Sequence, residues 1–309
     1  MKKRITSLFL IVAVFCSMLI PSAAATDSAA HVTRFGVTIS AEAYQALLEQ
    51  GLSEEDIDYL NESEYNQYIS ESGGELLSRV ESYYICKEDG TNIAVSQSVA
   101  EGIANNLNLG VMPAEDDAGY DSASDGVCRL VLMLYKSGSV YRSTANVTWL
   151  TDAPSNSQDI LGIAHNNGFA TDADDVTTTM WYDWSNNGTT YTTATGTADS
   201  IETDIGCGVV CKFNRTVISP NYNMPCKNFR YKVEARSVKN STTTINAMVQ
   251  ADYYRGISKL SANLDVDVIA LLSTVVTGDP FYTAISLVPE YESDFADVLQ
   301  ADIMYTINP

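Results

Sequence analysis

The chain has 309 residues, 39 acids against 18 Lys and Arg, and a formal net charge of −21. A field of that sign repels phosphate, which excludes nucleic acid and anionic membrane surfaces as partners. The length allows one large domain or two smaller units with real cores.

Residues 1–25 carry the three parts of a secretory signal peptide. Lys2-Lys3-Arg4 comes first, then the apolar run Leu8 to Ile20, then Ala23-Ala24-Ala25 as a small-residue cleavage site. The run is 13 residues long, short of the roughly 20 that a membrane-spanning helix needs. Cys16 follows Val14-Phe15, too bulky for a lipid-attachment site. The expected mature chain has 284 residues, carries a net charge of −24 without Lys2, Lys3 and Arg4, and is secreted and extracellular. Its longest later apolar run, Val266 to Val276, is interrupted by Asp267 and Ser273. That suits a buried strand or short helix better than a membrane span.

Residues 26–112 read as a helical lead-in with short strands. Ala41 to Gln50 is helix-forming and stops at Gly51. Ser53 can cap a second helix, with acids in its first turn and Ile57 and Leu60 as its stripe. Tyr65, Tyr68 and Ile69 line a third. The order Gly51-Leu52-Ser53-Glu54-Glu55-Asp56-Ile57 followed by Glu64-Tyr65 resembles the amino-terminal region of uncharacterised exported proteins of Gram-positive anaerobes. That resemblance implies an export compartment and brings no activity or catalytic residues. Further on, Glu75 to Cys86 reads as a helix passing into a strand at Tyr83-Tyr84-Ile85-Cys86. Val95, Val99, Ile103 and Leu107 predict an amphipathic helix.

Residues 113–126, rich in Asp, Ala, Gly and Ser, form an acidic linker. Residues 127–309 then read as an antiparallel β-sandwich, jelly-roll-like, with a closed barrel as the other candidate. Its opening hairpin joins the nearly continuous apolar arm Val127 to Tyr135 to an alternating arm. In that second arm Tyr141, Ala145, Val147 and Trp149 face one way, and Arg142, Thr144, Asn146 and Thr148 the other, the pattern of a half-solvated strand. Asp175 to Trp184 and Thr189 to Thr195 flank Asn187-Gly188, the strongest short hairpin signal. Strand-like segments continue through Cys207 to Phe213, Phe229 to Arg236, Ile245 to Tyr254, Val266 to Val276, Tyr282 to Val288 and Ala301 to Ile307.

Five cysteines follow the leader: Cys86, Cys128, Cys207, Cys211 and Cys226. Cys128, Cys207, Cys211 and Cys226 are the disulfide candidates. Cys207 and Cys211 on one extended strand would stand about 13 Å apart, too far to bridge each other. A zinc site lacks a neighbouring His and the Cys-x2-Cys spacing, so no metal site is predicted. Calcium at Asp121 and Asp125 matches only part of a loop pattern, because Ala123 and Leu132 stand where ligands belong.

No Gly-x-Ser-x-Gly elbow is present, and the mature chain has two histidines, His31 and His165. The aromatic and acidic stretch holding Asp172, Asp174, Asp175, Trp181, Tyr182, Asp183 and Trp184 offers sugar-stacking rings or paired carboxylates. Trp181, Trp184, His165 and Asp183 are therefore the ligand-binding candidates. The leading reading is a non-catalytic extracellular module that binds a glycan, a surface or another protein. The alternatives are a carbohydrate-active hydrolase using paired Asp, and a β-rich pore-former, since Thr and Ser alternate with apolar residues in several arms.

Overall fold

The computed structural model describes residues 31–109, 125–151, 158–166, 168–185, 187, 189–215, 226–240, 244–256, 270–271, 275–276, 283–284, 287–288 and 298–307. The leader and nearly all of 113–126 fall outside these residues. The chain divides into two compact units, Met1–Leu48 with Leu52–Ile69 and Glu49–Gly51 with Ser70–Pro309.

In the first unit β1 (His31–Val32) and β2 (Thr38–Ile39) pair antiparallel, and α1 (Ala41–Glu49), α2 (Glu54–Asp58) and α3 (Glu62–Ser70) follow. Short helices of this kind hold only if their ends are satisfied and one face is buried. Ser53 Oγ accepts the Asp56 N–H at 3.1 Å while the Asp56 carboxylate accepts the Ser53 N–H at 3.0 Å, a capping box at the start of α2. Asn61 and Glu64 repeat the exchange at 3.0 and 3.1 Å ahead of α3. Ile39, Leu47, Leu52, Ile57, Leu60 and Tyr68 form the core that the stripes build.

The second unit is mainly β and its sheets are antiparallel. β3 (Glu75–Cys86), β4 (Asn92–Val95), α4 (Gln97–Asn108), β5 (Gly126–Ser137), β6 (Val140–Trp149), β7 (Gln158–His165), β8 (Phe169–Ser185) and β9 (Tyr191–Gly196) come first. β10 (Ser200–Asp204), β11 (Gly208–Asn214), β12 (Lys227–Lys239), β13 (Ile245–Arg255) and β18 (Leu299–Ile307) complete the two large sheets. Between β13 and β18 lie the two-residue strands β14 (Ala270–Leu271), β15 (Val275–Val276), β16 (Thr283–Ala284) and β17 (Leu287–Val288). The seven-stranded sheet runs β4-β3-β5-β6-β12-β8-β9 and the five-stranded sheet β10-β11-β7-β13-β18.

Glu75 to Cys86 is strand throughout, not helix passing into strand, because its length pairs with β5 from Glu75–Lys136 to Cys86–Gly126. Two strands of the seven-stranded sheet therefore precede residues 113–126. β5 and β6 form the expected opening hairpin, closed by Gly138-Ser139 with Gly138 at φ +60°, the left-handed value a type II′ loop places on its first residue. Ser185 pairs with Tyr191, so the connection around Asn187 is one residue longer than the four, Ser185 to Gly188, that the sequence reading leaves between its arms. Asn187 Oδ1 accepts the Thr189 and Thr190 N–H groups at 2.9 and 2.7 Å and organises the loop locally.

One hydrophobic cluster draws on both sheets. Leu130, Leu132, Leu134, Ala145, Val147, Tyr231 and Val233 come from the seven-stranded sheet, and Leu161, Ile163, Val209, Phe213, Val249, Tyr253 and Ile303 from the five-stranded one. Gly208 lets the strands close, since a Cβ there would sit 2.0 Å from the Ile163 carbonyl oxygen. The edge strand β18 is tied to β3 by Tyr84, whose hydroxyl donates to the Gln300 carbonyl at 2.8 Å and accepts the Gln300 N–H at 3.2 Å. The described cysteines are all free thiols, so none of the disulfide candidates Cys128, Cys207, Cys211 and Cys226 is bridged. Burial pushes the Cys128 and Cys211 thiols well up from their ordinary value, which keeps them protonated.

At one end of this core lies a charge pair with no solvent access. Arg215 Nε stands 2.8 Å from the Asp159 carboxylate, with both side chains fully buried. Tyr253 donates to Asp159 at 2.6 Å and accepts from the Trp149 indole at 3.2 Å, and the Gly256 N–H adds a third contact at 3.2 Å. Burial raises the Asp159 pKa while Arg215 opposes the rise. Removing one partner leaves a buried charge uncompensated. We expect Arg215→Met to cost about 3–5 kcal/mol, read as a lower urea midpoint, and Asp159→Asn added to it to recover part of the loss. A single variant as stable as the parent would contradict the pairing.

Candidate functional site

The side of the seven-stranded sheet turned away from the shared core is polar, as the alternation in β6 predicts, but it is not solvated. Arg142, Thr144, Asn146 and Thr148 are 3, 1, 6 and 3% exposed. Cross-strand register aligns Arg129, Thr148, Arg230 and Trp181 in one row and Met133, Thr144, Glu234 and Thr177 in another. Lys232 Nζ lies 2.9 Å from Glu234, and Glu234 is 3.7 Å from Arg142. Arg142 and Arg236 both hold the Glu71 carboxylate, and Arg236 reaches Asp175 at 2.6 Å. Buried charges persist only when paired in this way.

Trp181 sits on that face, 4% exposed, with the Arg230 guanidinium 5.9 Å and the Lys232 ammonium 5.5 Å from its ring. Desolvated cations over an indole are a structural contact, and the buried ring is closed to stacking on a sugar. Asp183 shares the face and accepts from Thr193 Oγ1 at 2.7 Å and Asn228 Nδ2 at 2.8 Å. Trp184 has the opposite parity and packs against the inter-sheet core with Tyr182. The four ligand-binding candidates are therefore spread over two faces and the far end of β7. Asp172 accepts the Asp174 N–H at 3.1 Å, and Asp175 belongs to Arg236. Asp125 lies 3.3 Å from Lys87, while Asp121 is outside the described residues. No group of three or more metal-ligating side chains occurs among the described residues.

A different element stands out between β13 and β18. Ala270 pairs with Val288, Leu271 with Leu287, Val275 with Ala284 and Val276 with Thr283, all antiparallel and nested as in a hairpin. The sequence that leads into these pairs alternates: Leu260, Ala262, Leu264, Val266, Val268, Ala270 and Leu272 occupy even positions, with Ser261, Asn263, Asp265, Asp267 and Ser273 between or beside them. Ile269 and Leu271 break the polar side toward the carboxy-terminal end of this stretch. Sequence reasoning missed this because it began the element at Val266, where Val268 to Leu272 looks like one apolar run. Starting at Leu260 brings out the period of two. No helix among the described residues is long and apolar enough to cross a membrane, a finding that does not bear on strands.

His165 ends β7 and links the two sheets. Its Nδ1 lies 3.0 Å from the Asn166 carbonyl oxygen, which can only accept, so Nδ1 carries the proton and Nε2 accepts from Thr171 Oγ1 at 2.5 Å. Thr171 in turn lies 3.3 Å from Ser237 Oγ, and Phe169 packs edge-on at 5.9 Å. Burial is the main cause that lowers the His165 pKa. A folded-state value below the unfolded one means that stability is fully present above the unfolded pKa, about 6.5, and is lost as pH falls through the folded value. We expect the urea midpoint to drop between pH 7 and pH 5, and His165→Gln to flatten that slope. An unchanged slope in the variant would remove His165 as its source.

No family model matches the chain and no curated protein matches it. Among solved structures it is similar to AvmM, which catalyses macrocyclization in alchivemycin A biosynthesis, at 11% identity and TM-score 0.24, covering 56% of this chain and 82% of that one. It is also similar to the KRT10-binding region domain of the pneumococcal serine-rich repeat protein PsrP, at 12% identity and TM-score 0.24, covering 43% and 79%. Clostridium perfringens delta-toxin matches at 6% identity and TM-score 0.20, covering 60% and 86%. Likeness at these scores carries no functional argument.

Proposed function

We propose that this is an exported, non-catalytic protein with a jelly-roll-like β-sandwich body, and that it permeabilises lipid membranes with the hairpin between β13 and β18. The observation that carries the reading is the alternating sequence Leu260 to Leu272, which runs into nested antiparallel pairs. A strand crosses a bilayer in about 9–11 residues with one apolar side toward lipid and one polar side toward water; this arm has 13. A single hairpin leaves unpaired edges that lipid does not tolerate, so insertion requires closure by several copies. The smallest bacterial barrels have 8 strands, which sets the count at about four hairpins or more.

The net charge of −21 fits zwitterionic rather than anionic lipid. A glycan-binding module, part of the leading reading of the sequence, needs exposed ring faces; its candidate Trp181 is 4% exposed, and Tyr191 at 38% is a ring open to solvent on β9. The paired-carboxylate hydrolase has least support, because Asp175 and Asp183 are engaged by Arg236, Thr193 and Asn228.

The test is dye release from phosphatidylcholine vesicles containing cholesterol. The mature protein is expected to release dye. Val268→Arg places a charge on the lipid side at a cost of about 2–4 kcal/mol per copy and is expected to abolish release. Asp267→Asn, on the water side, is expected to preserve it. Failure of the parent protein to release dye, or equal effects of the two substitutions, would overturn the reading.

A further inference from the structure

Two cysteines of the shared core stand next to each other. Cys86 ends β3 and Cys128 lies near the start of β5, both 0% exposed and both in the cluster that joins the sheets. Register pairs Tyr84 with Cys128 and Cys86 with Gly126, so the two cysteines share one side of the sheet and are diagonal neighbours. Diagonal Cα atoms of an antiparallel pair stand about 7–8 Å apart, at the outer limit of about 7 Å for a disulfide. The twist of a sheet shortens one diagonal at the expense of the other. This one is short, because the Cys128 thiol is hydrogen-bonded to the Cys86 thiol. Gly126 has no side chain, which leaves the place directly across from Cys86 open to the Cys128 sulfur. The other described cysteines have different neighbours: Asp204 lies near Cys207, Asp183 near Cys226, and Cys211 is wrapped in the core.

We propose that Cys86 and Cys128 are a cross-linking site, joined by a disulfide between β3 and β5 when the chain folds in contact with a disulfide-bonded small thiol. The proposal is independent of the membrane reading and shares with it only export, which supplies oxidising surroundings. One cysteine thiolate attacks a sulfur of the small disulfide and displaces the first small thiol. The second thiolate then attacks the mixed disulfide, forms the Cys86–Cys128 bond and displaces the other. The protein gives up two protons and two electrons, and the small disulfide leaves as two thiols. Both sulfurs are closed to solvent in the folded chain, and burial holds Cys128 in its protonated form. Exchange therefore takes place before the core packs, after which the core shields the bond. The bond ties the end of β3 to the start of β5 and closes the loop from Lys87 to Val127, which restricts the unfolded chain.

The test is thiol mapping of the mature chain, unfolded, reduced, refolded in reduced and oxidised glutathione, and alkylated in urea before and after a reductant is added. Cys86 and Cys128 are expected to resist alkylation before reduction and to react after it, and their peptides to run as one linked species in mass spectrometry. The urea midpoint of the oxidised parent is expected to exceed that of the reduced parent. Oxidation is expected to leave the midpoint of Cys86→Ala unchanged, with Cys128→Ala as the substitute if that variant does not fold. Reactive Cys86 and Cys128 before reduction would overturn the proposal. So would a bond from either one to another cysteine or to glutathione in place of the pair, or the same midpoint shift in parent and variant. A Cys86–Cys128 bond in a protein that releases no dye from vesicles would uphold the cross-link and remove the membrane reading alone.

Discussion

A sheet face withheld from water must satisfy its own charges, and most of the second unit depends on how that is done. Glu71, Glu234 and Asp175 are divided among Arg142, Arg236 and Lys232 so that each of these three cations has a carboxylate within reach. An apolar replacement of the whole set could be equally stable, whereas the loss of one member leaves a stranded charge. The network joins β6, β12 and β8 through their side chains, and Trp181 lies on the same face beneath Arg230 and Lys232. Asp159 and Arg215 impose the same condition inside the shared core.

Much of the local structure was legible. The Ser53 capping box, the stripe through Val99 and Ile103 and the hairpin around Gly138 are set by neighbours a few residues apart, which is the range over which periodicity and cap chemistry act. Glu75 to Ser82 were misread because a strand whose partners lie some fifty to sixty residues on carries little local signal. Arg142 and Asn146 show the same limit on burial. Alternation tells which residues share a face, and it cannot tell whether a further layer covers that face.

The candidate site was less legible. Trp181, Trp184, His165 and Asp183 drew attention because their side chains can do chemistry, yet the fold uses Trp181, His165 and Asp183 to tie strands together and packs Trp184 on the core. The segment between β13 and β18 has few reactive side chains, and its signal is a rhythm of ordinary residues that emerges only when the element begins at Leu260. Reading by reactive group favours enzymes and passes over stretches whose signal is periodicity alone.

The bond between Tyr84 and Gln300 joins residues 216 positions apart. Closing so long a loop is slow and unrewarded until the last strand arrives, so β3 lacks its neighbour in the second sheet until β18 has been synthesised. The same sequential distance leaves β18, the last strand, to close the side of the body where β3 stands.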